Sequence, residues 1–136
     1  MNTKTVWITG ASSGIGQEFA RRYAKLGFRL ILTARRKDRL DALAAELSAK
    51  HAIPCRVLPA DLASDAECDA LCAALADERI DFFINNAGFG VCGSYLETDA
   101  AREEEMIKVN VAAMARLFHF AVRKMDAAGG GTILNV

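Results

Sequence analysis

Thr9-Gly10-Ala11-Ser12-Ser13-Gly14-Ile15-Gly16 places three glycines in a spacing that suits the binding of a phosphate group. Glycine removes the side chain where a backbone must turn sharply or approach another group closely. The preceding residues, Val6-Trp7-Ile8, read as a short apolar strand, and the following ones as a helix. A helix that opens on such a turn presents unpaired N–H groups and the positive end of its dipole, which together favour an anion. A glycine-rich loop also occurs in ordinary tight turns; the strand before it and the helix after it are what favour a dinucleotide site here.

A charged group follows the second strand, Arg29-Leu30-Ile31-Leu32-Thr33, which is apolar enough to be buried on both faces. An enzyme that prefers the unphosphorylated dinucleotide usually places a carboxylate near the end of this strand, bonded to the adenosine ribose hydroxyls. Ala34 holds that place, and Arg35, Arg36 and Lys37 follow it. A carboxylate would repel a 2′-phosphate, whereas a guanidinium grips one with two hydrogen bonds. Arg35, with Arg36 behind it, therefore points to NADP(H) in preference to NAD(H). Ser12 and Ser13 are candidates to share the phosphate, and a solvated basic run ahead of a helix is the plain structural alternative. Asp38 suits the cap of that next helix.

These groups need a scaffold that brings the ends of successive strands together. Phe19, Ala20, Tyr23, Ala24 and Leu26 give the first helix an apolar face, and Gly27 ends it. Leu40, Leu43, Ala44 and Leu47 do the same for a helix over 38–50. Pro54 opens a third strand through Arg56-Val57-Leu58, and Ser64 with Glu67 forms a capping box for a helix reaching about Ala76. Ile80 to Ile84 reads as a fourth strand. From about Asp99 a helical pattern runs to Met125, with Ile107, Val111, Met114, Phe118 and Val122 as its apolar stripe and Asn110 interrupting it. Gly129-Gly130-Gly131 ends that helix, and Thr132-Ile133-Leu134-Asn135-Val136 begins a fifth strand. Strands alternating with helices through short connections predict an α/β fold: a Rossmann-type, doubly wound parallel sheet in the order 3-2-1-4-5.

The G-x-x-x-G-x-G spacing, preceded by Thr9 and filled as Ala11-Ser12-Ser13, resembles the short-chain dehydrogenase/reductase family in its classical form. Asp61-Leu62, Asn85-Asn86-Ala87-Gly88 and Asn110 within Lys108-Val109-Asn110-Val111 match that family in order and separation, over essentially the whole chain. The resemblance implies a cofactor site made of Gly10, Ser12, Ser13, Gly14, Ile15, Gly16, Arg35, Arg36, Asp61, Leu62, Asn86, Ala87 and Gly88. Asp61 would accept from the adenine amine; a turn-capping role for it is the alternative that the motif alone does not exclude. Asn86, Ala87 and Gly88 would lie beside the ribose, with Asn85 structural. Asn110 matches the family's helix-kink asparagine, which holds a water in a proton relay and is the catalytic candidate; a local bend capped by its own side chain is the plainer reading.

Carbonyl reduction by a nicotinamide needs an acid to protonate the nascent alkoxide. The family uses a tyrosine with a lysine four residues later, and a serine after the fifth strand. The two tyrosines here, Tyr23 and Tyr95, are followed four positions later by Gly27 and Asp99. The resemblance therefore implies that residues 1–136 are the amino-terminal dinucleotide-binding domain, incomplete at its carboxyl end and inactive alone. The complete enzyme would interconvert a small-molecule alcohol and carbonyl as a homo-oligomer. The alternative is a non-catalytic dinucleotide-binding or interaction domain without the catalytic half.

Composition narrows the remaining classes. The 136 residues suit one domain with a real core. Seventeen basic and 17 acidic residues cancel, which argues against a nucleic-acid partner. No apolar run approaches the ~18 residues of a membrane span, and Met1 to Thr5 lead directly into the first strand without room for a signal peptide, so the expected location is the cytoplasm. Cys55, Cys68, Cys72 and Cys92 lack metal-ligand spacing and read as small hydrophobes, so no metal site is expected.

Overall fold

The computed structural model describes residues 4–136; Met1, Asn2 and Thr3, from which a direct entry into the first strand is expected, lie outside the described residues. Five strands form one sheet: β1 (Thr5–Thr9), β2 (Arg29–Thr33), β3 (Cys55–Val57), β4 (Phe82–Asn85) and β5 (Thr132–Asn135). Their order is β3-β2-β1-β4-β5, and every neighbouring pair is parallel. The helices are α1 (Gly14–Lys25), α2 (Lys37–His51), α3 (Asp65–Ala74), α4 (Ala100–Ile107) and α5 (Met114–Ala127), with a wider π-helical stretch at Lys108–Ala113 joining the last two. This is the doubly wound arrangement the sequence predicts.

Strand alternation divides the core into two halves. Val6, Ile8, Leu30, Leu32 and Ile84 point to one face, where Ala20 and Ala24 of α1 and Leu40, Leu43 and Leu47 of α2 cover them. Trp7, Ile31 and Phe83 point to the other, against Leu71 of α3 and Leu117, Ala121 and Met125 of α5. Trp7 sits level with Ile31 and Phe83 in the register. Its indole stacks on Phe83 at 4.0 Å between ring centres and meets Phe120 edge-on at 6.2 Å. The buried indole N–H is satisfied by the Thr33 hydroxyl at 3.1 Å.

Local details differ from the sequence-based boundaries. Gly27 takes a φ of +82° just past α1, as a helix-ending glycine should. Arg36, not Asp38, occupies the capping position of α2, and Asp38 falls in its first turn, where its charge suits the dipole. The Ser64 hydroxyl accepts from the Glu67 N–H at 3.3 Å, but the Glu67 carboxylate turns away from Ser64 and accepts from the Asp61 N–H at 3.2 Å. The box is thus half closed, and its second half steadies the turn after β3. The helix from Asp99 to Met125 is not continuous: six residues around Asn110 widen it. The face it buries is Val109, Ala113, Leu117, Ala121 and Met125, while Ile107, Val111, Phe118 and Val122 remain exposed. Both sets recur at helical spacing, and the small side chains of Ala113 and Ala121 let the helix approach the sheet.

At the amino-terminal end of the strands, Arg29 donates to both oxygens of Glu78, at 2.5 and 2.9 Å, and Arg56 donates to Glu78 Oε1 at 2.5 Å. The Arg29 hydrogen bonds and, after them, those of Arg56 hold the Glu78 carboxyl down at about 2, against burial, which opposes them. The Glu78 side chain is 16% exposed, against 31% for Arg29 and 38% for Arg56, so the cluster is half-buried and salt screens it in part. A folded-state value below the ordinary one means the stabilisation is full at neutral pH and is lost as pH falls from about 4.5 towards about 2. Glu78→Gln should lower stability at pH 7 by about 1.5–3 kcal/mol. Chemical unfolding at pH 7 and again near pH 2.5 checks this: the gap between wild type and variant should shrink in acid, and a gap independent of pH would refute the account.

Candidate dinucleotide-binding cleft

A cleft of about 430 Å³ opens at the carboxyl-terminal ends of β1, β2 and β4. That is where open parallel sheets place their ligands, at the point where the strand order reverses. Its walls come from four connections: Gly10, Ser12, Ser13, Gly14 and Ile15 after β1; Ala34, Arg35 and Arg36 after β2; Ala60, Asp61 and Leu62 after β3; and Asn86, Ala87, Gly88 and Phe89 after β4. Val109 closes the rear. All the sequence-based candidates except Gly16 and Asn110 line this one space, and those two stand immediately behind it.

The turn after β1 is held by close backbone approach. A Cβ on Gly16 would lie 2.1 Å from the Gly10 carbonyl oxygen, and one on Gly10 would lie 2.8 Å from the Asn86 amide nitrogen. Gly10 also has a φ of +64°. By contrast, a Cβ on Gly14 would meet nothing within 4 Å, although its φ of +54° resists a side chain. The Ser13 side chain makes no capping bond to α1, and no acidic residue stands in the first turn of that helix. The amino end of α1 therefore faces the cleft with its positive dipole uncompensated and two serine hydroxyls beside it, a surface able to hold a phosphate.

Thr9, which the sequence presents only as the residue before the turn, organises the neighbouring loop. Its hydroxyl accepts from the N–H groups of Asn86 and Ala87 at 2.9 and 3.0 Å. The Asn86 side chain donates back to the Thr9 carbonyl at 3.2 Å. Asn85, buried, donates to the Met114 carbonyl at 3.0 Å and to the Asn135 side chain at 3.1 Å, tying β4 to α5 and β5. Its role is structural, in line with the sequence reading.

Asn110 turns both ends of its amide to one residue: Oδ1 accepts from the Phe89 N–H at 3.0 Å, and Nδ2 donates to the Phe89 carbonyl at 2.8 Å. A Cβ on Gly88 would lie 2.9 Å from Asn110 Oδ1, so glycine there lets the two segments meet. The π-helical stretch around Asn110 is a common mark of functional positions in helices. Phe89, to which the sequence assigns no chemistry, also carries the Arg102 guanidinium over its ring at 4.0 Å. Arg102 donates to Glu105 Oε2 at 2.5 Å, and Glu105 Oε1 accepts from Arg35 at 3.4 Å across the cleft rim. No motif announces this chain of contacts; an Arg and a Glu three residues apart on one helix are its only trace in the sequence.

Asp61 is half-buried at the far side. One of its oxygens accepts from the Ala63 N–H at 3.0 Å, closing a turn and orienting the carboxylate. Leu62 is buried and forms apolar wall. Neither tyrosine enters the cleft: Tyr23 packs against Phe28 and Phe82 in the core, and Tyr95 is exposed.

The model of the short chain dehydrogenase family matches residues 4–136. The sulfoacetaldehyde reductase of Chromohalobacter salexigens is 36% identical over 98% of this chain and 54% of its own. A short-chain dehydrogenase from Sphingobium yanoikuyae, solved in complex with NADPH, superposes with a TM-score of 0.91 at 41% identity, over 97% of this chain and 52% of that one. The L-sorbose reductase of Gluconobacter frateurii, solved with NADPH and L-sorbose, gives a TM-score of 0.89 at 32% identity, over 99% and 52%. The chain spans about half the length of the relatives it matches. With its parallel sheet, its glycine turn and a cleft lined in the family's order, the chain belongs to the short-chain dehydrogenases, a family of oxidoreductases.

Proposed function

We propose that the protein is an NADP(H)-dependent oxidoreductase interconverting an alcohol and a carbonyl, and that residues 1–136 are its dinucleotide-binding domain. The observation that carries this is the meeting of the glycine turn, Arg35–Arg36 and Asp61 on one cleft. The amino end of α1 receives the pyrophosphate. Arg35, with Arg36 and the Ser12 and Ser13 hydroxyls, takes the 2′-phosphate. Asp61 keeps its second carboxylate oxygen for the adenine amine, between the apolar walls of Ala34, Ala60 and Leu62. The backbone at Asn86, Ala87 and Gly88 flanks the ribose, and Asn110 fixes that loop through Phe89. The bound dinucleotide supplies hydride transfer. Complexes of similar structures with NADPH and NADP support the cofactor choice, and the reductases among the relatives support the reaction class.

Three expectations test this reading. Arg35→Asp should reverse the NADP/NAD preference, since one charge-assisted contact contributes ~1.5–3 kcal/mol, or about ten- to a hundredfold in affinity. An unchanged ratio in competitive titrations would place recognition elsewhere. Residues 1–136 alone should turn over no substrate, because they hold no tyrosine–lysine acid; NADPH oxidation with a carbonyl by material of verified intact mass would refute this. Ile107, Val111, Phe118 and Val122 are exposed apolar side chains on one helical run, and β5 is an exposed sheet edge. We therefore expect the isolated 136 residues to self-associate and the whole protein to be a homo-oligomer. Sedimentation that finds a compact, heat-stable monomer of residues 1–136 at high concentration would overturn that view.

A further inference from the structure

We infer that Glu105 sets the strength of NADP(H) selection by competing, as an internal carboxylate, for the arginine that takes the 2′-phosphate. This rests on the reading of Arg35 given above and extends it to a residue on another element. Glu105 lies 70 positions from Arg35 in the chain, on α4, yet its carboxylate reaches the guanidinium at 3.4 Å. It is anchored from behind. Its other oxygen accepts from Arg102 at 2.5 Å, and Arg102 in turn is pinned over the Phe89 ring at 4.0 Å. The Glu105 side chain is 28% exposed against 55% for Arg35, so the carboxylate is the better-held partner and the guanidinium the freer one.

The chemistry follows from that asymmetry. An ion pair this long and this exposed holds only weakly. A phosphate monoester offers a guanidinium two parallel hydrogen bonds and nearly twice the charge, and displaces it. Arg35 swings to the phosphate and must give up the Glu105 carboxylate, which stays with Arg102. The cofactor thus loses part of the gain that Arg35 gives. A dinucleotide without the 2′-phosphate leaves the Arg35–Glu105 pair as it is and bears no such cost. Glu105 is therefore a specificity-determining residue that moderates the grip on NADP(H), and it acts through Arg35 alone. Arg36, the other guanidinium at the rim, has no such carboxylate among its described contacts, and Lys37 is engaged by Asp41 one turn along α2 at 2.5 Å.

The test is a double-mutant cycle read by calorimetric titration of the whole protein with NADP⁺, NAD⁺ and adenosine 2′,5′-bisphosphate. Glu105→Gln should tighten NADP⁺ and the bisphosphate about two- to fivefold at ~0.1 M salt, and leave NAD⁺ unchanged. The gain should shrink as salt is raised and should vanish in an Arg35→Ala background. Glu105→Gln binding NADP⁺ equally or more weakly would overturn the proposal, the weaker case showing that Glu105 positions Arg35 instead of competing for it. A fall in the NADP⁺/NAD⁺ ratio for Arg35→Ala with no change for Glu105→Gln removes the role of Glu105 and keeps that of Arg35. A ratio unmoved by Arg35→Ala removes both.

Discussion

The approach of α1 to the end of β1 is the contact on which the cleft depends. Gly16 lies so near the Gly10 carbonyl that a single methyl group would force the turn apart. The same turn is gripped from the other side by the Asn86 amide and by the Thr9 hydroxyl, which takes two N–H groups of the loop after β4. Strand β1 is central and wholly buried, so its carboxyl end cannot shift to relieve a clash. The amino end of α1 is thereby aimed at the crevice between β1 and β4 by buried, closely packed and hydrogen-bonded atoms. Its N–H groups are fixed in direction by this packing, which would limit the ordering that binding an anion requires.

Legibility in the sequence tracked how local the determinant was. The strands of the sheet centre were legible because burial on both faces demands continuous apolar runs, as in Leu30-Ile31-Leu32. The glycine turn was legible because only glycine tolerates its positive φ and close contacts. The stop of α1 at Gly27 and the cap at Ser64 are likewise set by one or two neighbouring residues. The chosen face of α5 was not legible, because that helix has two apolar stripes. The sheet selects the one whose small side chains allow close packing, a tertiary choice invisible to periodicity. The π-helical widening at Asn110 was legible only as an interruption, since the partner of the Asn110 side chain, the Phe89 backbone, lies 21 positions away.

The candidate site divides along the same line. Residues named from the turn and from the strand ends fell together, because parallel strands deliver their carboxyl ends to one edge. What the sequence left out is the layer behind them: Thr9, Phe89, Arg102 and Glu105. Each acts through a partner that the fold, and not the chain, makes a neighbour. Asp61 shows the two readings coexisting, since one oxygen closes a turn with Ala63 while the carboxylate still lines the cleft.

Charge is distributed between the two ends of the sheet in opposite manners. At the amino-terminal end Glu78 is largely buried and held by Arg29 and Arg56 through short bonds, so its ionisation is bound up with folding. At the carboxyl-terminal end Arg35 and Arg36 are exposed, and the contact of Arg35 with Glu105 across the rim is long. A guanidinium locked into a short, buried pair would have to break it before meeting a ligand, at a cost rising as the local dielectric falls. One left in solvent against a weak internal carboxylate can change partners cheaply. The tight cluster thus stands at the end of the sheet away from the cleft, and the loose pair at the mouth of the cleft, where a change of partner costs least.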